Sequence, residues 1–263
     1  MNLPQELIDE IIRNLASDVQ SLRSCSLVAK SWAHPSRKWL FEDVLITRRI
    51  YQRWMDRISP GDVKLLRNVR SFMYFLGTSL RDGIAPHRID LLVRYLPSLS
   101  RLERLGLYSP HLGPDVPQQI GLFSAFQQTL SSLSLADCRT TSNALITIIN
   151  YFPLLVNLDL QALTYEEDRG PVPQLSRPLR GRLVIADCET TIRVLFDKLS
   201  NPPPALDELF LHRVYMPVFY DCIVGVHGGS VKNLEMRSGF SEQERTSQIL
   251  QNFPILMRNI NPQ

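Results

Sequence analysis

The chain has 263 residues, 44% of them hydrophobic and 21% charged, and its 29 basic and 26 acidic residues leave a formal net charge of +3. That apolar content excludes general disorder, and the balanced charge supplies no field that would draw the chain to nucleic acid or to a membrane. No stretch approaches the roughly 18 apolar residues of a membrane helix and no signal peptide opens the chain, so a soluble protein of cytoplasm or nucleus is expected.

From the N-terminus, Leu3-Pro4 is a helix start signal, with Glu6 at the positive end of the helix. Leu7, Ile8, Ile11, Ile12 and Leu15 follow at helical spacing and predict a broad apolar stripe. Ser17 to Gln20 offers a capping box for a second helix that carries Leu22, Cys25, Leu27, Val28 and Trp32. A third helix is expected from Pro35, with Trp39, Leu40 and Phe41, before the chain turns extended at Val44-Leu45-Ile46. Three helices this short hold more apolar surface than they can bury among themselves, and such surplus marks interfaces.

The residues of this segment resemble an F-box. Leu3-Pro4-x-Glu6-Leu7-Ile8, then Ile11 and Leu15, then Leu22-x-x-Cys25-Ser26-Leu27-Val28-x-Lys30-Ser31-Trp32 follow that family's pattern in order over residues 3–46. Lys30 departs from it mildly, standing where arginine is more common. The resemblance implies docking on a Skp-type adaptor and, through it, on a cullin–RING ubiquitin ligase. The docking surface it implies is Leu3, Pro4, Leu7, Ile8 and Ile11 with Leu27, Val28 and Trp32.

Beyond this unit, Arg48, Arg49, Arg53 and Arg57 lie on helical spacing but are diluted by Asp56 and Asp62, which reads as a solvated face. Further on the chain repeats itself. Leu133-Ser-Leu-Ala-Asp-Cys-Arg-Thr-Thr141 recurs 50 positions later as Leu183-Val-Ile-Ala-Asp-Cys-Glu-Thr-Thr191. The looser pattern Leu-x-x-Leu-x-Leu centres on Leu105, Leu133, Leu158, Leu183, Leu209 and Leu234, at steps of 28, 25, 25, 26 and 25. It extends back to Phe72 and Val44 and forward to Ile260, close to the last residue, where a terminal unit would need covering. This pattern resembles a leucine-rich-repeat array, which implies a strand and a helix or turn per unit. The expected fold class is α/β: three F-box helices (residues 1–46), then a curved solenoid (residues 47–263) with short parallel strands on its concave side.

Alternation along each strand turns the leucines inward and the intervening residues to solvent. The candidate target-binding positions are therefore Arg104, Tyr108, Asn157, Asp159, Phe210, His212, Asn233, Glu235 and Arg237. Convex helices are predicted over residues 142–151, with Thr141 at the start, and 191–199, starting at Thr191; residues 88–95 and 242–251 read likewise. Residues 164–178, with Glu166-Glu167-Asp168 and three prolines, read as a loop of flexible filler.

No nucleophile elbow, zincin helix, phosphate loop or dinucleotide fingerprint occurs, the five histidines are scattered, and the four cysteines form no CxxC pair. Catalytic residues, metal ligands and cofactors are not expected, and Cys138 and Cys188 read as buried packing residues. The implied function is substrate recognition in a Skp–cullin–F-box ligase: the F-box binds the adaptor, and the array binds a target protein for ubiquitin-dependent degradation. The alternative is a repeat-based protein-binding scaffold whose F-box-like helices only cap the array. A nuclease-inhibitor-like regulator would need a strongly acidic concave face, which these strand residues do not provide.

Overall fold

The computed structural model describes residues 3–47, 66–75, 96–109, 111–113, 115–116, 120–168, 170–199, 205–213 and 231–237. The stretches expected as helices at 88–95 and 242–251, the arginine cluster at 48–57 and the spacing that ends at Ile260 lie outside the described residues.

Three helices open the chain: α1 (Gln5–Asn14), α2 (Val19–Val28) and α3 (Lys30–Leu40). They share a small core of Ile8, Ile12 and Leu22, flanked by half-buried Leu15, Cys25, Trp32, Trp39 and Leu40. Two local expectations are corrected. The cap of α2 is Asp18 and not Ser17: its carboxylate accepts from the backbone N–H of Gln20 and Ser21 at 3.0 and 3.1 Å and from the Ser21 hydroxyl at 2.6 Å. The helix break falls at Ala29, which is extended (φ −157°, ψ 162°), so Trp32 belongs to α3 and Pro35 lies inside that helix. A proline there leaves the carbonyl four residues back without its intrahelical donor. Gln5 replaces the donor, its Nε2 lying 3.3 Å from the Ser31 carbonyl oxygen.

The rest is an open eight-stranded sheet in which every described pairing is parallel: β1 (Asp43–Thr47), β2 (Ser71–Phe75), β3 (Arg104–Tyr108), β5 (Ser132–Ala136), β7 (Asn157–Gln161), β9 (Arg180–Ala186), β10 (Ala205–His212) and β11 (Asn233–Arg237). A second sheet joins the two-residue strands β4 (His111–Leu112), β6 (Arg139–Thr140) and β8 (Thr164–Tyr165). The strands succeed one another in chain order and in register, so Phe72, Leu105, Leu133, Leu158, Leu183 and Leu209 line up across the sheet. The repeated leucines are buried in one continuous cluster, which also takes in a stack of Phe126 on Phe152 (5.8 Å between ring centroids).

Five of the strands, β3, β5, β7, β9 and β10, end in the same turn. Ser109, Asp137, Ala162, Asp187 and Arg213 all adopt positive φ, between 48° and 62°. This conformation aims the first four N–H groups at the next strand: Ser109 to the Ala136 carbonyl, Asp137 to Gln161, Ala162 to Ala186 and Asp187 to His212, at 2.8–3.1 Å. Left-handed backbone costs a non-glycine residue about 1–2 kcal/mol, so these ladder bonds hold the conformation in place. Cys138 and Cys188 follow two of the turns and are buried. Leu163 N–H donates to the Cys188 sulfur, whereas the Cys138 thiol donates toward the Ala136 carbonyl.

Against the buried face lie α4 (Ser142–Tyr151) and α5 (Glu189–Leu199). Thr141 caps α4 as its sequence predicts, accepting from Ala144 N–H at 3.1 Å. α5 starts at Glu189 and not at Thr191, because Thr191 is buried inside the helix, where its hydroxyl accepts from the Tyr165 phenol at 3.0 Å. The segment expected as loose filler is fastened along α4. Asn143 N–H donates to the Asp168 carboxylate, and the Asn143 side chain donates to the Pro171 carbonyl. Asn150 donates to Gln174 and accepts from Ser176, while the Arg177 guanidinium donates to the Phe152 and Pro153 carbonyls at the end of α4. This proline-rich segment is thereby held on the polar edge of α4.

Candidate functional site

Two surfaces are open to partners. The first is on the helical unit. Leu7 and Ile11 are exposed and stand four residues apart on α1, the spacing that aligns side chains on one helix face, and Leu3, just before the helix, is exposed as well. Pro4 is exposed beside them. Leu27 and Val28, at the end of α2, are 86% and 67% exposed, extreme values for aliphatic side chains. The Gln5–Ser31 hydrogen bond ties the first turn of α1 to the start of α3, just after Leu27 and Val28 in the chain. Two of the eight residues in the expected docking set do not belong to this open surface. Ile8 is 3% exposed and forms the unit's core, and Trp32 is half-buried against that core. The broad apolar stripe of α1 has an inward side (Ile8, Ile12) and an outward side (Leu7, Ile11), which its spacing alone does not separate.

The second surface is the solvent face of the sheet. Alternation and register arrange it in three rows running across the strands. The entry row contains Arg104, Asn157 and Asn233 together with Asp43, Arg182 and Glu208. The middle row contains Asp159, Phe210 and Glu235 together with Leu45, Met73, Gly106, Ser134 and Val184. The exit row contains Tyr108 and His212, with Arg237 opposite His212 in register, together with Phe75 and Gln161. All nine expected target-facing positions thus share one face. They do not form one cluster, because Tyr108, Asp159 and Phe210 stand on every second strand.

The intervening residues complete the chemistry. Phe75 packs on Tyr108 with 5.2 Å between ring centroids, and Leu45 and Phe75 are 57% and 44% exposed. A Cβ on Gly106 would overlap the Met73 sulfur, so the Met73 side chain lies over that glycine. The sequence offered a signal for these residues: the leucine spacing carried back to Val44 and Phe72 puts Leu45 and Met73 at the outward positions. Arg104 pairs with Asp43 at 2.9 Å, Arg182 lies 3.7 Å from Glu208 and 4.6 Å over the Phe210 ring, and His212 lies 3.9 Å from Glu235. Asp159 accepts from the Gln161 amide at 3.0 and 3.1 Å.

The chain matches no protein-family model and no curated protein. Among the described residues, no group of three or more His, Cys, Asp or Glu side chains is placed to hold a metal ion, and no helix is long and apolar enough to cross a membrane. The buried thiols and phenol are set up for packing. Burial pushes the Cys138 thiol and the Tyr165 phenol well above their ordinary values and raises the Cys188 thiol, which suppresses the anionic forms that nucleophilic chemistry needs.

Proposed function

We propose that this chain is a substrate-recognition subunit of a Skp–cullin–F-box type ubiquitin ligase: an F-box unit followed by a leucine-rich-repeat array. The observation that carries this reading is the division of the helical unit's apolar side chains. Ile8, Ile12 and Leu22 are buried in its core, while Leu3, Leu7, Ile11, Leu27 and Val28 remain in water. Those outward residues fall at F-box positions and leave apolar surface open on the unit, which suits an adaptor. In-register parallel strands, a turn ladder and buried leucines at a step of about 25 residues support the repeat reading of the remainder. The chain would perform no chemistry of its own. It would hold a target protein on the sheet's solvent face, near the ubiquitin-conjugating enzyme of the assembled ligase, and raise the local concentration of a target lysine.

The test is direct binding to a purified Skp-type adaptor. Leu7→Asp and Leu27→Asp each place a charge in the patch without touching the core, so adaptor affinity falls at least tenfold while the circular dichroism spectrum holds. Wild-type binding that both variants retain, or no wild-type binding at all, overturns the ligase reading and leaves the helices as a cap on a protein-binding array.

A further inference from the structure

Among the described side chains, several charges on the solvent face of the sheet are answered within it, and Asp159 in the middle row stands apart from them. Arg104 has Asp43, Arg182 has Glu208 and the Phe210 ring, and Glu235 faces His212. Asp159 has only the neutral Gln161 amide, and among the described residues no cation lies within ion-pair distance of it. Its carboxylate is half-buried on β7, between the small Ser134 and Val184 of the same row, so it sits low on the face and open to a visitor. Two to four strands away, Tyr108, Phe75, Met73 and Leu45 form an apolar patch, and two of these large side chains are exposed.

We propose that this face receives an extended segment of a partner protein that runs across the strands, seating a Lys or Arg on Asp159 and a large apolar side chain on the Leu45–Met73–Phe75–Tyr108 patch. The inference rests on the reading of the sheet as the target-binding array and names the chemistry of its target. Neighbouring strands lie about 4.8 Å apart, so β7 is roughly 10 Å from β3 and roughly 14 Å from β2. An extended chain advances about 3.3 Å per residue, which sets the apolar anchor three or four positions from the basic one. Charge complementarity selects this occupant: a cation gains a partner that the fold does not supply, whereas a polyanion such as a nucleic acid would meet an unanswered carboxylate.

The full-length chain is titrated by fluorescence polarisation with positional-scanning pools of nine-residue peptides, each pool fixing one basic, acidic or apolar residue. The pools that bind are those with a fixed Lys or Arg and an apolar residue three or four positions away. Asp159→Asn weakens them about five- to tenfold, Asp159→Lys transfers the preference to pools fixing Glu, and Phe75→Ala erases selection at the apolar position only. Equal binding by wild type and Asp159→Asn, a preference of the wild type for acidic pools, or no retained pool at about 1 mM peptide overturns the proposal. If Asp159→Lys fails to fold, Asp159→Asn, which keeps size and polarity, decides alone. Adaptor capture is measured on the same preparations. Selection that depends on Asp159 without adaptor capture overturns the ligase reading only, and adaptor capture without that selection overturns this inference only.

Discussion

Gly181 is the sharpest point at which the backbone of the sheet can be tested. It lies near the start of β9 with φ +72°, and a Cβ there would overlap the Val156 carbonyl oxygen and come within 3.2 Å of the Val156 carbonyl carbon and Cβ. The same carbonyl oxygen accepts the Arg182 N–H at 2.8 Å, a bond that stitches β9 to the residue before β7. Gly181→Ala therefore forces a side chain into the left-handed region, at about 1–2 kcal/mol. It also parts the two backbones and loses most of that hydrogen bond, about 1 kcal/mol net. The stiffer unfolded chain returns about 0.4–1 kcal/mol. The net loss is about 1–2.5 kcal/mol before the overlap itself is counted, or roughly 3–8 °C in Tm for a chain of this size.

Gly106→Ala is the control. Its overlap is with the end of the flexible Met73 side chain, which can swing aside, and alanine suits a strand better than glycine by about 0.5–1 kcal/mol. Thermal and urea unfolding followed by circular dichroism should show Gly181→Ala clearly destabilised and Gly106→Ala within about 1 kcal/mol of wild type. Equal stability of Gly181→Ala and wild type, or Gly106→Ala as the weaker variant, would refute the reasoning.

Ile12→Ala should loosen the helical unit by about 2–4 kcal/mol, and hydrogen exchange should show the loss in α1–α3 with the strands still protected, because the two apolar clusters are separate. Asn150→Ala removes the side chain that holds Gln174 and Ser176, so limited proteolysis should cut within 166–178 faster than in wild type while β7 and β9 stay intact. In a Cys222→Ser background, a thiol reagent should label Cys25 in the native state and reach Cys138 and Cys188 only on unfolding; fast native labelling of either would contradict their burial. The Asp18 carboxyl sits below its ordinary value of 3.8, chiefly through the Ser21 hydroxyl, so its stabilisation of α2 is present above that value and lost as pH falls through the lower folded one. Acid titration of helicity should show this loss, and Asp18→Ala should abolish it.

How much of this was legible follows from where the signals sit. The leucines at 105, 133, 158, 183 and 209 repeat at nearly constant steps, and their regularity located the strands and the outward positions between them. Thr141 before an apolar helix was equally plain, because cap and helix are neighbours in the chain. The break at Ala29 was not, since no glycine or proline marks it, and Pro35 read as a helix start because the donor that compensates for it, Gln5, lies 26 residues from the carbonyl it serves. The fastening of residues 166–178 depends on Asn143 and Asn150, 24–28 residues from most of the groups they hold, a distance no local pattern reports. Nor does the alternation rule say which outward residues already have a partner: Asp43 has Arg104, whereas Asp159 has no cation among the described residues.

The five left-handed turns carry a consequence for how such a chain can change length. They are occupied by Ser, Asp, Ala, Asp and Arg, so backbone conformation and not residue type is what the positions share. Any two of them are interchangeable splice points. Removing residues 163–187 would join Ala162 to Cys188, one turn to the continuation of another, and let β7 meet β10 with every leucine still on the inner face. Removing a single residue inside a strand would instead turn the rest of that strand over. Insertions and deletions in this chain are therefore quantised: whole turns are tolerated where fractions of one are not.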